Sequence, residues 1–203
     1  MAEYKKKKKK LSAAEELTLA KRQWECYTRA RDSGHEDYIE IAKQCDAFYR
    51  GEQWDEADIA ALDDQGRPAL TINTILPTVN TVIGEQSTRR ADVQFKPRGS
   101  GDQEVADILT KLYMQISDNN KLEWTEGQVF SDGLIQDRGW FDVRIDFSDH
   151  IKGEVRIEQK DPLDILIDPD AKQYDSKTWN EIFESKWMSL DEIEEVYGED
   201  KAD

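Results

Sequence analysis

Cysteine is nearly absent: two residues, Cys26 and Cys45, occur among 203, and no Cys-x-x-Cys pair is present. A disulfide framework and a thiolate zinc site both need more, so the expectation is two reduced thiols on helical segments. Histidine is as scarce, with His35 and His150 beside neither a cysteine nor each other, which removes the usual zinc-ligand spacing. No GxxxxGK[ST] loop exists to cradle a nucleotide phosphate, and no GxSxG elbow exists to present a nucleophilic serine. The aspartates 161, 164, 168, 170 and 175 fail a calcium-loop test. A loop starting at Asp168 puts Gln173 where glycine is required and Trp179 where glutamate should stand. They read instead as turn and strand-end residues around Pro162 and Pro169. Long apolar runs are missing too: nothing approaches the roughly 18 residues of a membrane span. The basic start leads into Leu11-Ser12-Ala13-Ala14-Glu15-Glu16 rather than an apolar signal core. Neither a cofactor, a metal nor a membrane is expected.

Charge is plentiful and unevenly placed. The formal net charge is −16, but the first ten residues hold six lysines and one glutamate, a local +5 that leaves −21 on the rest. Such a body repels phosphates at long range, which excludes a general DNA-coating protein and suits a surface past which DNA slides without sticking. The run Lys5, Lys6, Lys7, Lys8, Lys9 and Lys10 is the candidate nucleic-acid contact. It lacks the interleaved aromatics and arginines that stack on bases, so weak, non-specific, salt-sensitive contact from a disordered tail is the expectation.

Periodicity predicts an α+β fold, helical over the first two thirds and then an antiparallel β meander. Helices are expected over about 11–30, broken by Ser33-Gly34, then over about 36–49 and 55–62. Asp63 to Pro68 reads as a loop. In the helix predicted over 74–88, Ile75, Val79, Val82 and Ile83 share one face and are expected in the core, with Asn73 as a cap and Pro77 in the first turn. A short strand is expected at 93–96. Helices follow from Asp102, with Val105, Ile108, Leu109 and Leu112 on its apolar face, and over about 123–136. From Trp140 the period becomes two. Phe141, Val143, Ile145 and Phe147 alternate with Asp142, Arg144 and Asp146, and Val155 and Ile157 return on a second strand. Such a hairpin covers a core on one face. Third and fourth strands are expected around 163–167 and 181–188, then a helix opened by a capping box at Ser189 to Glu192. The division expected is a basic tail 1–10, helices over 11–66 and an α+β region over 67–203.

One enzymatic pattern can be drawn on these strands. Asp146, Glu158 and Lys160 resemble the acidic residue plus Glu-x-Lys pair of magnesium-dependent, restriction-like nucleases. The competing explanation is an ordinary charged outer face, since Glu158 and Lys160 continue an alternating strand.

Five stretches, in order, carry a resemblance: Tyr49-Arg50-Gly51-Glu52-Gln53-Trp54; Arg67-Pro68-Ala69-Leu70-Thr71-Ile72-Asn73 with Pro77, Gln86 and Arg89 to Val93; Phe130 to Gly133 with Gly139 to Val143; Asp161-Pro162 with Ile167-Asp168-Pro169; and Trp187 to Glu192. Together they resemble the N-terminal part of portal proteins of short-tailed phages. The resemblance implies a non-enzymatic subunit of a twelve-membered ring at one capsid vertex, with this region corresponding to the wing. It also implies partners: other portal subunits, terminase, capsid and scaffold proteins, tail adaptors, and double-stranded DNA passing through the channel. The implied location is the virion's portal vertex, with assembly in the host cytoplasm. Members are much longer, so the expectation is a partial portal, without stem and clip, that does not close a stable ring alone.

Overall fold

The computed structural model describes residues 12–198 apart from 90, 92, 100, 101, 149, 150 and 174. The chain forms two compact units, one built from residues up to Tyr38 and from Ile165 onward, the other from Ile39–Asp164.

In the first unit, helix α1 (Ala13–Ala30) opens on a capping box. The Ser12 hydroxyl accepts from the Glu15 N–H, and the Glu15 carboxylate accepts from the Ser12 N–H at 2.8 Å, so donors orphaned at the helix start find partners. The helix ends in a kink over Arg31–His35, where Gly34 has φ +119°, a conformation that glycine reaches without a Cβ clash. Helix α2 (Glu36–Arg50) follows and runs through the division between the units. Strand β3 (Ile165–Ile167) pairs antiparallel with β4 (Ile182–Glu184), with Leu166 opposite Phe183. Ala30, Tyr38, Ile165 and Leu166 supply its buried apolar side chains. The Tyr27 ring meets Phe183 edge-on at 5.8 Å, fastening α1 to the sheet. Arg29 adds ion pairs to Asp170 at 3.1 Å and Glu181 at 3.2 Å. Helix α7 (Leu190–Tyr197) starts at the expected Ser189–Glu192 capping box.

The second unit contains the rest of α2, then α3 (Glu56–Asp64), α4 (Ile75–Thr88), α5 (Gln103–Asn119), α6 (Leu122–Gln136), and the hairpin β1 (Trp140–Asp146) and β2 (Glu154–Lys160). Asn73 caps α4 as expected: its Oδ1 accepts from the N–H groups of Ile75 and Leu76, while its Nδ2 donates to the Tyr49 carbonyl at 2.8 Å. Thus the Arg67–Asn73 stretch is tied to the end of α2. Both α4 and α5 pack on α6. The turn between α5 and α6 places Lys121 in the left-handed region, φ 49°. Just before it, the Asn120 side chain acts as a substitute strand: Nδ2 donates to the Val155 carbonyl and Oδ1 accepts from the Ile157 N–H, both at 2.9 Å. That closes the outer edge of β2 over two backbone groups.

The α+β class holds, and four details differ from expectation. The strands form two separate two-stranded antiparallel sheets, β1-β2 and β3-β4, rather than one meander. Residues 93–96 form no strand. The Phe95 N–H is satisfied by the Thr110 hydroxyl at 3.1 Å instead of a ladder bond. On α4, Ile75 and Val82 are exposed, and Val79 and Ile83 only half-buried, because α6 covers a single stripe of that helix. The apolar faces of α5 and β1 are open as well: Val105, Ile108, Leu109 and Leu112 are all exposed, and it is the small Ala106 that is buried.

The aspartates near β3 take the turn roles expected of them. Asp161, Asp168 and Asp175 each accept the N–H two residues on, from Leu163, Asp170 and Lys177 at 2.9, 2.9 and 3.0 Å. Asp168 is also buried and accepts both N–H and Nδ2 of Asn180 at 3.0 Å. These bonds hold its carboxyl below the ordinary range, the Asn180 N–H contributing most.

Candidate assembly surface

The β1-β2 hairpin separates charge from apolar surface by strand alternation. Its register sets Asp142 opposite Glu158, Arg144 opposite Arg156 and Asp146 opposite Glu154. Directly opposed like charges repel, and the arginines relieve this by reaching along the face. Arg144 bonds Asp142 on its own strand and Glu158 across at 2.8 Å. Glu158 and then Asp142 raise the Arg144 pKa above its already high value. Lys160 Nζ lies 3.7 Å from the same Asp142. Asp146 instead accepts from the Ser148 hydroxyl at 2.6 Å and the Ser148 N–H at 2.9 Å, which hold its pKa below the ordinary range, and Arg156 lies 3.9 Å away.

This geometry corrects the nuclease pattern. Glu158 sits opposite Asp142, so Asp146 is four strand positions further on, about 13 Å along the hairpin at the usual rise per residue. Carboxylates sharing a metal must converge within a few ångströms, and Asp146 and Glu158 do not. Lys160 is engaged with Asp142 rather than aimed between them. Among the described residues no group of three or more His, Cys, Asp or Glu side chains is arranged to hold a metal ion, and no helix is long and apolar enough to cross a membrane. The lysines at 5–10 and His150 lie outside the described residues, as do Arg90 and Asp92 of the second motif stretch.

The other face of the hairpin is apolar and only half covered. On β2, Val155, Ile157 and Gln159 are partly buried, and Gln159 Nε2 donates to the Asp132 carboxylate of α6. Burial, with Asp161 nearby, pushes the Asp132 pKa up, and the bond from Gln159 opposes this. A groove of 530 Å³ runs between this end of the hairpin and α5, lined by Leu112, Ile116, Gly153 and Val155. A second, of 910 Å³, is lined by Val82, Tyr113, Met114 and Phe130 from α4, α5 and α6. On β1, however, Phe141, Val143, Ile145 and Phe147 are 45, 64, 61 and 63% exposed. Their alternation was legible in the sequence; what covers them was not, since periodicity identifies a shared face and not its partner. A contiguous apolar strip of this kind on a folded unit marks an interaction surface.

The family model described as phage P22-like portal protein matches residues 24–203, from within α1 through α7 and beyond. No curated protein matches the chain. The lysine run precedes the matched region, whereas all five motif stretches fall inside it. With most of its length matched, the chain belongs to the P22-like family of phage portal proteins.

Proposed function

We propose that the protein is a structural subunit of the portal ring at one capsid vertex, through which double-stranded DNA is packaged by the terminase and later ejected, and that it catalyses no reaction itself. The observation that carries this reading is the family match over residues 24–203. Its partners are other portal subunits, capsid and scaffold proteins, terminase and tail adaptors, and it reaches the virion after assembly in the host cytoplasm. The acidic body supports the reading, because a surface carrying −21 beyond the first ten residues does not trap passing DNA. The test is a nonsense codon early in the gene of the virus that encodes it. Heads assembled without the protein should lack DNA, and packaging should return when the protein is supplied in trans. DNA-filled heads in its absence would refute the proposal.

The lysines 5–10 act in this proposal as a weak phosphate contact. With at most six phosphates neutralised, affinity for duplex DNA should fall about 10³-fold between 50 and 200 mM salt. Gel retardation at low salt should therefore vanish near physiological salt, and deletion of residues 5–10 should abolish it throughout. Submicromolar binding that survives the deletion would place the DNA contact elsewhere.

A further inference from the structure

The β1-β2 sheet has one edge closed and one open. Beyond β2, the Asn120 amide occupies the carbonyl of Val155 and the N–H of Ile157. Beyond β1 no strand is paired among the described residues. An open edge beside an exposed apolar row is a template for another strand.

The same unit presents a segment with the properties of such a strand. Between the Arg67 N–H, which bonds the Leu62 carbonyl at 2.9 Å, and the Asn73 side chain, residues 68–72 belong to no helix, strand or turn and form no backbone hydrogen bond with another described residue. Leu70 and Ile72 are 74 and 85% exposed and stand two positions apart, so in a strand they would share one side, with Ala69 and Thr71 on the other. No glycine or charge interrupts the segment, and its proline stands at the entry, where a strand tolerates a missing N–H. Both ends are tied to the segment's own chain, by the Arg67 N–H and by the Asn73 side chain, which leaves the backbone between them unpaired among the described residues.

We propose that residues 68–72 of one copy add as a strand to the open edge of β1 in the next copy, setting Leu70 and Ile72 beside Val143 and Ile145. The inference rests on the portal reading, which supplies the neighbouring copy, and it names the contact between copies. Donor and acceptor are different surfaces, so each copy gives on one side and receives on the other, the head-to-tail relation from which rings are built. The areas are of the right size. At these exposures, Phe141, Val143, Ile145 and Phe147 leave on the order of 450 Å² open, and Leu70 and Ile72 on the order of 300 Å². Together this approaches the roughly 900 Å² of apolar area in an interface of standard size. Charge agrees too. The segment and the β1 row are uncharged, and Arg67 at the segment's edge is opposite in sign to the acidic body it would approach.

The test uses the full chain with Cys26→Ser and Cys45→Ser, so that each protein carries one introduced cysteine. Leu70→Cys or Ile72→Cys protein is mixed with Val143→Cys or Ile145→Cys protein under mild oxidation. Disulfide-linked dimer should form about tenfold faster in at least one of these pairings than when Trp187→Cys is the second partner. Adding Thr71→Pro to the donor removes an N–H from the strand and should bring the rate down to that control, with an unchanged circular dichroism spectrum. Equal rates for all pairings, or rates indifferent to Thr71→Pro, would overturn the inference. The portal reading is separated by tagging: a tagged chain that enters viral particles while the selective cross-link fails sinks the strand addition alone. A cross-link in a chain never found in particles sinks the portal reading.

Discussion

Replacing Gly139 by alanine is expected to destabilise the Ile39–Asp164 unit by about 3 kcal/mol, measured as a lowered midpoint in urea unfolding. A Cβ at this position would lie 2.3 Å from the Val129 carbonyl oxygen, 3.2 Å from the Val129 carbonyl carbon and 2.9 Å from Val129 Cγ1. Two of these atoms are helix backbone and cannot rotate aside, and Val129 is buried in α6. The entry to β1 must therefore back away from the helix. Gly84 is the control. It lies within α4 with nothing within 4 Å of an added Cβ, so Gly84→Ala should be neutral or stabilising by up to about 1 kcal/mol. A Gly139→Ala protein that unfolds with the parent would show that α6 and β1 do not pack closely.

Substitution of Asp168 should loosen the other unit. Asp168→Ala leaves the Asn180 N–H and amide, and the Asp170 N–H, without the acceptor they now share inside the protein. The thermal midpoint should fall by several degrees, with Asp168→Asn intermediate because its carbonyl oxygen still accepts but its NH₂ faces donors. The effect has a pH signature. The folded carboxyl is held below its ordinary value, so the stabilisation is complete above an unfolded pKa near 3.9 and is lost as pH falls through the lower, folded value. The gap between parent and Asp168→Asn should accordingly narrow below about pH 4. The parent loses further stability in that range through Glu15 and Glu192, whose capping-box bonds to Ser12 and Ser189 lower their pKa values in the same way. Asp132, raised by burial, runs in the opposite sense, favouring the fold at low pH and less as pH rises past its ordinary value. A parent-to-variant gap constant from pH 7 to pH 3 would remove the charge of Asp168 from the account.

Several motif residues carry structural tasks. Asn73 ties α4 to the end of α2, Gly139 allows β1 to approach α6, and Asp168 joins the end of β3 to the approach to β4.

Local signals in the sequence were sufficient for what depends on neighbouring residues. The capping box at Ser189 and the capping by Asn73 appear as read, as do the break at Ser33-Gly34 and the alternation of the hairpin, because each rests on contacts within a few positions. Pairing and burial depend on what arrives from elsewhere in the chain. Strand β3 found β4 rather than β2, residues 93–96 found a threonine hydroxyl instead of a strand, and Val143 and Ile145 stayed mostly exposed. Amphipathic spacing states that a face is apolar, and burial of that face requires a second surface. Only the tertiary structure decided which faces were covered and which stayed exposed.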